Sequence, residues 1–261
     1  MKKIGENLYL VLIFVFLFLP ILVLILFSFN TSSLNIIFEG FTLHWYYDLF
    51  QNSTLLESLF NTLIVAGVST VVSTVIGTIS AYGLYKYSFK GKNIVNELLY
   101  IPVVIPEIVL GISLLSVYTL LQLELGLFTL ILAHICFCIP FVIISVRSVL
   151  EGIDSHISEA ASDLGASRFQ IFTKIIIPML MPGILSGAQL ALTLSLDDVV
   201  ISYFTAGPGA NTLPLQVYSM IKTGITPDVN ALITIMLCFV FVLLMVSTVV
   251  QLRRLKKEVS L

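Results

Sequence analysis

The sequence predicts an all-α membrane protein with six transmembrane helices, forming one domain over residues 1–261. Composition is the first reason: 58% of the residues are hydrophobic and only 11% are charged, whereas a soluble domain is about a quarter charged. The second reason is that apolar runs of about 20 residues, enough to cross roughly 30 Å of hydrocarbon, recur along the chain. The third is the placement of Lys and Arg, which fits an even number of spans.

The first span is predicted at residues 8–29, and the chain before it begins Met1-Lys2-Lys3. At about 22 residues it is too long for the apolar region of a signal peptide, so we expect a retained membrane helix. Residues 30–57 follow as a loop with aromatic side chains suited to a membrane interface. The other spans are predicted at residues 61–85, 93–121, 127–149, 178–204 and 231–252.

Two of these spans carry features that predict more than membrane insertion. The second is rich in small residues, which let helices approach each other closely: Gly67, Ser69, Ser73, Gly77, Ser80 and Gly83. The third is interrupted by Pro102 and Pro106. If Pro106 starts a fresh half-helix, Glu107 lies at its positive end, which favours a carboxylate. A kink anchored by Glu107, without any role in transport, is the alternative.

The basic residues predict the orientation of the chain. Of its 13 Lys and Arg residues, 12 fall on the side that holds both termini, and Lys222 alone falls opposite. Positive residues concentrate in cytoplasmic loops, so we expect both termini in the cytoplasm. The sequence contains no Walker-type phosphate loop, so we expect no ATP bound by that route. Three cysteines inside apolar runs indicate small hydrophobic packing residues, with neither a disulfide framework nor a metal site: Cys136, Cys138 and Cys238.

A polar segment at about residues 150–175 interrupts the apolar sequence and contains Glu-Ala-Ala; we call it the Glu-Ala-Ala segment. Four apolar residues within it share one helix face at i, i+3, i+4 and i+7: Ile157, Ala160, Ala161 and Leu164. Asp154 or Ser155 can cap the start of that helix, and Gly165 suits a left-handed turn at its end. A second turn with Phe169 follows. From pattern alone, an amphipathic connector on the membrane surface is equally compatible with this segment.

Carboxylates inside predicted spans are the candidate functional residues, because each costs about 2.5–3.5 kcal/mol at a helix centre. In the fifth span, Asp197 shares a helix face with Gln189 and Thr193. Asp198 lies on another face that is small and polar along its length, so we expect Asp198 to matter more for transport than Asp197. Structural carboxylates capped by neighbouring hydroxyls are the alternative. His134 is interpreted as a hydrogen-bonded packing residue, because the sequence places no carboxylate near it.

The spacing Glu159-Ala160-Ala161, Gly165 and Ile175-x-Ile177-Pro178 resembles the EAA loop of ABC importer permeases, with Ile177 where Leu is commoner. In that family the segment docks onto a cytoplasmic ATPase subunit. The resemblance assigns this coupling role to Ile157, Glu159, Ala160, Ala161, Leu164, Gly165, Phe169 and Pro178.

A second resemblance points to a branch of that superfamily. The runs at 194–204, 205–209 and 212–215, together with 101–111, look like the second permease subunit of spermidine/putrescine importers. The resemblance implies a type I importer fold in a bacterial inner membrane, with no cofactor in this chain. It also implies four kinds of partner: an ATPase dimer that holds ATP-Mg, a homologous permease, an extracytoplasmic polyamine-binding protein and membrane lipid.

The chemistry of a polyamine fits the candidate residues. Its ammonium groups need spaced carboxylates, and its methylenes and charges suit aromatic faces. The candidate pathway residues are Asp197, Asp198, Glu107, Tyr82, Tyr118, Tyr203 and Phe204. Two alternatives stay open at this stage. The first is an importer for iron, sulfate, thiamine or phosphonate. An anionic cargo would meet carboxylates in the predicted spans and no membrane-embedded Lys or Arg, and this feature distinguishes the two readings. The second is an ATPase-independent transporter or scaffold, which co-purification with an ATPase would exclude.

Overall fold

A computed structural model describes residues 2–32, 37–154, 156–223 and 227–259. Helices dominate these residues, and β-pairing among them is limited to one isolated bridge between Asn30 and Phe41. The helices are α1 (Lys2–Phe27), α2 (His44–Gln51), α3 (Ser53–Lys86), α4 (Lys92–Val104), α5 (Glu107–Leu120), α6 (Leu127–Leu150), α7 (His156–Asp163), α8 (Arg168–Gln170), α9 (Ile177–Asp197), α10 (Val200–Thr205), α11 (Leu213–Thr223) and α12 (Pro227–Val259), with a π-helical turn at Ile171–Ile176 before α9. The all-α class predicted from the sequence is confirmed.

In the described part of the chain, four helices are long and apolar enough to cross a membrane: Tyr9–Phe27, Ser53–Lys86, Leu127–Leu150 and Arg168–Asp197. α4 and α5 pass the same test as a pair, although they meet at an angle of 111°. The apolar part of α12, Pro227–Val242, is shorter than the other spans. Five of the predicted spans therefore have a helical counterpart of sufficient length, and the count of six stays a prediction.

Internal packing divides the chain into two units, one of Met1–Leu56 with Val217–Leu261 and one of Glu57–Gln216. In the first unit, α1 and α2 both pack against α12. In the first turn of α2, the Trp45 indole donates a hydrogen bond to the Asn30 carbonyl at 2.6 Å. The short helix α2 lies where the sequence analysis expected an irregular aromatic loop.

The second unit is built on the contact between α6 and α9, beside which α4 and α10 also pack on α6. Glycines allow the close approach: a Cβ at Gly183 would lie 2.9 Å from the Ser145 carbonyl oxygen, and one at Gly187 would lie 3.1 Å from the Val142 Cα. On α3, a Cβ at Gly77 would lie 2.7 Å from the Val142 side chain. The close packing predicted for the second span is therefore confirmed at Gly77.

Two predicted spans are broken in ways that position the candidate site. The third turns sharply at Ile105–Pro106, where the missing N–H and fixed φ of proline end one helix and start the next. The fifth was expected to continue to residue 204, but α9 ends at Asp197 and α10 begins at Val200. Between them Asp198 adopts an extended backbone with φ −66° and ψ 128°.

Candidate functional site

The break between α9 and α10 is held by the Asp198 carboxylate. One carboxylate oxygen accepts a hydrogen bond from the Ile201 N–H at 3.1 Å. The other accepts bonds from the N–H and the hydroxyl of Ser202, both at 2.8 Å. An aspartate just before a helix satisfies the free N–H groups of its first turn in this way, and its charge suits the positive end of the helix. The side chain of Asp198 therefore starts α10.

A buried polar network surrounds this carboxylate, formed by Ser69, His134, Ser195, Asp198 and Ser202. The His134 Nδ1 lies 2.7 Å from the Ser195 hydroxyl, and its Nε2 lies 3.1 Å from the Ser202 hydroxyl and 3.4 Å from the Asp198 carboxylate. Ser195 also contacts the Ser69 hydroxyl at 3.1 Å. The network thus joins α3, α6, α9 and α10, and it compensates a carboxylate side chain that is only 2% exposed.

The position of Asp198 corrects two points of the sequence analysis. His134 is a hydrogen-bonded packing residue as predicted, but the stated reason was wrong, because Asp198 lies beside it. The expectation that Asp198 matters more than Asp197 for the transported molecule loses its basis, since the Asp198 carboxylate is buried and already bonded to the protein. The pattern of Asp198 followed by Ile201 and Ser202 could have indicated a helix cap. No local pattern places residue 134 near residue 198.

Asp197 and Glu107 are two exposed carboxylates beside the same break. Glu107 is the first residue of α5, directly after Pro106, so the predicted half-helix is confirmed. Its carboxylate lies close enough to Asp197 and Asp198 for their charges to interact. One turn along α5, a Cβ at Gly111 would lie 2.7 Å from the Phe204 ring, which shows how closely α5 packs on α10. The structure therefore brings the three candidate carboxylates together and exposes two of them.

The four candidate aromatic residues do not form one group. Tyr203 is exposed and meets Phe204 edge-on, with 5.3 Å between ring centroids. Tyr118 is 5% exposed and belongs to the apolar core. Tyr82 accepts a hydrogen bond from the Lys86 ammonium at 2.9 Å. It lies thirteen residues beyond Ser69 on α3, or roughly 20 Å along the helix axis. The structure therefore separates Tyr82 from the carboxylates with which the sequence analysis grouped it.

Tyr82 instead lines a cleft beside the Glu-Ala-Ala segment. Its ring packs against Phe172, with 4.8 Å between centroids. The cleft has a volume of about 490 Å³. It is lined by Tyr82, Tyr85, Lys86, Leu150, Ile153, Asp154, Ser158, Glu159 and Ile176. The end of α3 and the start of α7 are therefore neighbours within the second unit.

The helix predicted in the Glu-Ala-Ala segment is α7, and both of its ends are defined. The Asp154 carboxylate accepts the His156 N–H at 2.9 Å; Ser155, the other predicted cap, lies outside the described residues. At the far end Gly165 has φ +84°. Its N–H bonds to the Ser162 carbonyl at 2.9 Å, and the next N–H bonds to the Ala161 carbonyl at 3.1 Å. These two bonds are those of a Schellman motif, so the predicted left-handed stop at Gly165 is confirmed.

The predicted apolar face of this helix is divided in the structure. Ala161 is buried against the core and Ile157 is half-buried, whereas Ala160 is exposed. Leu164 is 90% exposed because α7 ends one residue before it. Phe169, in the next turn, is 75% exposed. Exposed apolar side chains at a tight, well-defined turn give this segment a surface on which another protein can pack.

Charge and helix geometry complete the description of this segment. The His156 Nδ1 lies 3.2 Å from the Glu159 carboxylate. This hydrogen bond raises the pKa of His156, and the charges of Asp154 and Glu159 act in the same direction. Further along, the π-helical turn Ile171–Ile176 leads into α9, with Pro178 in its first turn. The described residues contain no group of three or more His, Cys, Asp or Glu that could hold a metal ion.

Comparison with known proteins agrees with this geometry. Residues 73–260 match the family described as "Binding-protein-dependent transport system inner membrane component". The chain is 45% identical over 222 residues to the spermidine/putrescine transport system permease protein PotC of Escherichia coli (strain K12), covering 85% of this chain and 84% of that protein. It is 38% identical over 216 residues to the putrescine transport system permease protein PotI of the same organism, covering 80% and 77%.

Among solved structures, the chain is similar to one from a bacterial ABC transporter involved in the import of the acidic polysaccharide alginate. The TM-score is 0.76 at 18% identity, over 96% of this chain and 95% of that chain. At that identity the likeness shows the fold, and it confirms the importer permease architecture predicted from the sequence. The chain belongs to the family of binding-protein-dependent transport system inner membrane components, in the branch of the PotC and PotI permease proteins.

Proposed function

We propose that this chain is the transmembrane permease subunit of an ATP-driven importer that carries polyamines, such as spermidine and putrescine, into the cytoplasm. The observation that carries the proposal is the pair of exposed carboxylates, Asp197 and Glu107, at the break between α9 and α10. The names of the relatives PotC and PotI support the same class of cargo. A polyamine is a chain of ammonium groups and methylenes, so it fits two separated anions next to an aromatic ring.

Each residue at the break has a separate task in this proposal. Asp197 and Glu107 replace water around the ammonium groups as the cargo passes. Tyr203, which is 58% exposed, covers methylenes and attracts the cations through its ring face. Asp198 and His134 do not touch the cargo. They fix the chain where α9 stops, and this fixes the direction in which Asp197 points.

The Glu-Ala-Ala segment is the proposed link to the source of energy. Leu164 and Phe169 are exposed apolar groups at a turn that Gly165 holds in one conformation. We infer that a cytoplasmic ATPase subunit packs on them and that ATP-Mg is bound in that subunit. Because the segment is tied through the π-helical turn to α9, a movement of the ATPase can reach the Asp197 end of the same helix. Hydrolysis is then a property of the partner, and this chain is not itself an enzyme.

Membership of the same family supports two further subunits of the transporter. A homologous permease would complete the pathway, and an extracytoplasmic binding protein would select the polyamine. The excess of Lys and Arg on one side supports a location of both termini and the Glu-Ala-Ala segment in the cytoplasm of a bacterial cell, at its inner membrane.

The test is uptake of labelled spermidine, measured per assembled transporter, for Asp197→Asn and Glu107→Gln. A hydrogen bond to a charged group contributes about 1.5–3 kcal/mol, so each change should slow uptake roughly ten- to a hundredfold. Glu124→Gln is the matched control, since it removes an exposed carboxylate outside the break and should leave uptake unchanged. Wild-type rates in both single variants and in the double variant would exclude these carboxylates from the pathway. Improved uptake of an anionic solute would instead favour a different cargo.

A further inference from the structure

A groove of about 400 Å³ lies in the second unit, away from the carboxylates, and nothing in the proposed transport cycle uses it. Its lining is almost entirely apolar. The lining residues are Ser80, Gly83, Leu84, Tyr87, Phe89, Val95, Leu99, Ile139 and Ile143. Several of them are large and exposed, including Tyr87 at 53% and Phe89 at 48%. Apolar side chains are therefore left open along a surface formed by membrane-spanning helices.

Three helices each supply one wall of this groove. Leu84 lies in the last turn of α3, and Tyr87 follows three residues later in the loop after that helix. Ile139 and Ile143 lie one turn apart on α6. On α4, Val95 and Leu99 are likewise one turn apart. The walls extend about 10 Å from the loop at 87–91, since seven residues separate Tyr87 from Ser80 at 1.5 Å each. The groove thus runs from the membrane boundary into the apolar layer.

Positive charge is concentrated at the loop end of the groove. Lys92 shares a face of α4 with Val95 and Leu99, at i, i+3 and i+7, and its ammonium donates a hydrogen bond to the Tyr87 carbonyl at 3.0 Å. Lys90 is exposed next to Phe89. The nearest carboxylate along α4, Glu97, lies about 200° around the helix from Val95.

The α6 wall ends in a basic residue as well. Arg147 follows Ile143 by one turn, and its guanidinium bonds to the Asn96 side chain of α4 at 3.3 Å and to the Glu151 carboxylate at 3.2 Å. The bond to Asn96 ties α6 to α4, and the guanidinium is engaged by these two partners, so Lys90 and Lys92 are the cations at the loop end with no carboxylate bonded to them in the described part of the chain. The combination is an apolar slot with two cations at the membrane boundary.

We propose that this groove binds an anionic phospholipid, with an acyl chain along the three walls and the headgroup phosphate between Lys90 and Lys92. Basic pockets between membrane helices bind anionic headgroups for this reason. A zwitterionic lipid offers the same acyl chains but carries a quaternary ammonium that the two lysines repel. The two lysines at the loop end of the groove therefore determine the preference for an anionic headgroup, and the apolar walls determine where the acyl chain lies.

Native mass spectrometry of the purified full chain tests the proposal, with phosphatidylglycerol and phosphatidylcholine of identical acyl chains as the probes. Each lysine near an anionic lipid accounts for about fivefold in affinity, so we expect Lys90→Gln with Lys92→Gln to weaken phosphatidylglycerol binding about twenty-five-fold. Phosphatidylcholine binding should not change. The matched control removes two positive charges elsewhere, with Arg168→Gln and Lys174→Gln, and should retain the preference.

A second pair of variants tests the walls rather than the charge. A Cβ at Gly83 meets no atom within 4 Å, so Gly83→Leu should fill the groove without a clash and release both lipids. A Cβ at Gly67 of α3 also meets no atom within 4 Å, and Gly67 does not line the groove. Gly67→Leu is therefore the control and should bind lipid normally. The helix tolerates either change, because Leu is a better helix former than Gly.

Three results would overturn the proposal. The first is equal binding of the two lipids by the wild-type chain. The second is a loss in the Arg168 and Lys174 control as large as the loss in the Lys90 and Lys92 variant, which would indicate a general surface charge effect. The third is retention of phosphatidylglycerol by the isolated chain but not by the assembled transporter, which would show that a partner helix fills the groove.

Discussion

Neutralising Asp198 should damage the fold of this permease rather than its contact with cargo. The change Asp198→Asn keeps the size of the side chain, but an amide has one acceptor oxygen where the carboxylate has two. In the wild-type chain the carboxylate accepts hydrogen bonds from the N–H of Ile201 and from both the N–H and the hydroxyl of Ser202. It also lies 3.4 Å from the His134 Nε2. The NH₂ group of the amide would therefore face one of these N–H or hydroxyl donors, which would lose its acceptor.

The magnitude follows from these contacts. A buried donor left without an acceptor costs about 1–3 kcal/mol, and a hydrogen bond to a charged group contributes about 1.5–3 kcal/mol. Because water and side-chain movement relieve part of this cost, we expect a loss of about 3 kcal/mol in the free energy of unfolding. For a protein of this size each kcal/mol lowers the unfolding midpoint by about 2–4 °C, so the expected fall is about 6–12 °C.

The assay is thermal unfolding of the purified complex, read together with its yield and with uptake per assembled complex. Asp197→Asn is the comparison, because an exposed carboxylate should change stability by no more than about 0.5 kcal/mol. Combining Asp198→Asn with His134→Gln should cost less than the sum of the single changes, by about 0.5–3 kcal/mol, since both act on one network. A normal midpoint and yield for Asp198→Asn, with uptake lost, would refute the reasoning and return Asp198 to the pathway.

Three further predictions concern the Glu-Ala-Ala segment and the orientation. Gly165→Val should abolish transport while membrane insertion survives, because φ +84° costs a residue with a Cβ about 1–2 kcal/mol; normal uptake at normal expression would contradict it. A cysteine near Ser88 should be shielded from an impermeant thiol reagent in intact cells and one near Gly209 labelled, whereas the reverse would invert the topology. The raised pKa of His156 means that its contact with Glu159 stabilises the fold below about pH 6.5 and is lost as pH rises through the folded-state value. Replacing that glutamate with Gln should lower the midpoint of the histidine ring titration followed by NMR, and an unchanged midpoint would exclude the contact.

The features that the sequence predicted well are those that depend on neighbours along the chain. The length of the apolar runs predicted the spans, and Pro106 predicted the half-helix that begins at Glu107. Gly165 predicted the left-handed turn that ends α7. Each follows from the local backbone: proline lacks an N–H and fixes φ, and glycine has no Cβ to oppose a positive φ. The resemblance of the Glu-Ala-Ala spacing supplied the family.

The features that were missed depend on residues far apart along the chain. His134 and Asp198 meet only because α6 packs on α9, and no helical periodicity relates positions 64 residues apart. The same is true of Tyr82 and Tyr203, which the sequence grouped by residue type. Tyr82 lies near the end of α3 against Phe172, whereas Tyr203 lies on α10. The break after Asp197 was missed because apolar residues continue on both sides of it, so hydropathy alone predicts one uninterrupted span.

The most direct test of the proposed function is spermidine transport by the reconstituted machine. Proteoliposomes would hold this permease with its homologous partner and the ATPase subunits, with the binding protein added on the side opposite the ATPase. We predict that labelled spermidine accumulates only when ATP-Mg is present on the ATPase side. Gly165→Val should abolish this accumulation while the two permease subunits stay associated in the membrane. Accumulation that proceeds without ATP, or ATP-driven uptake of an anionic solute with none of spermidine, would contradict the central claim.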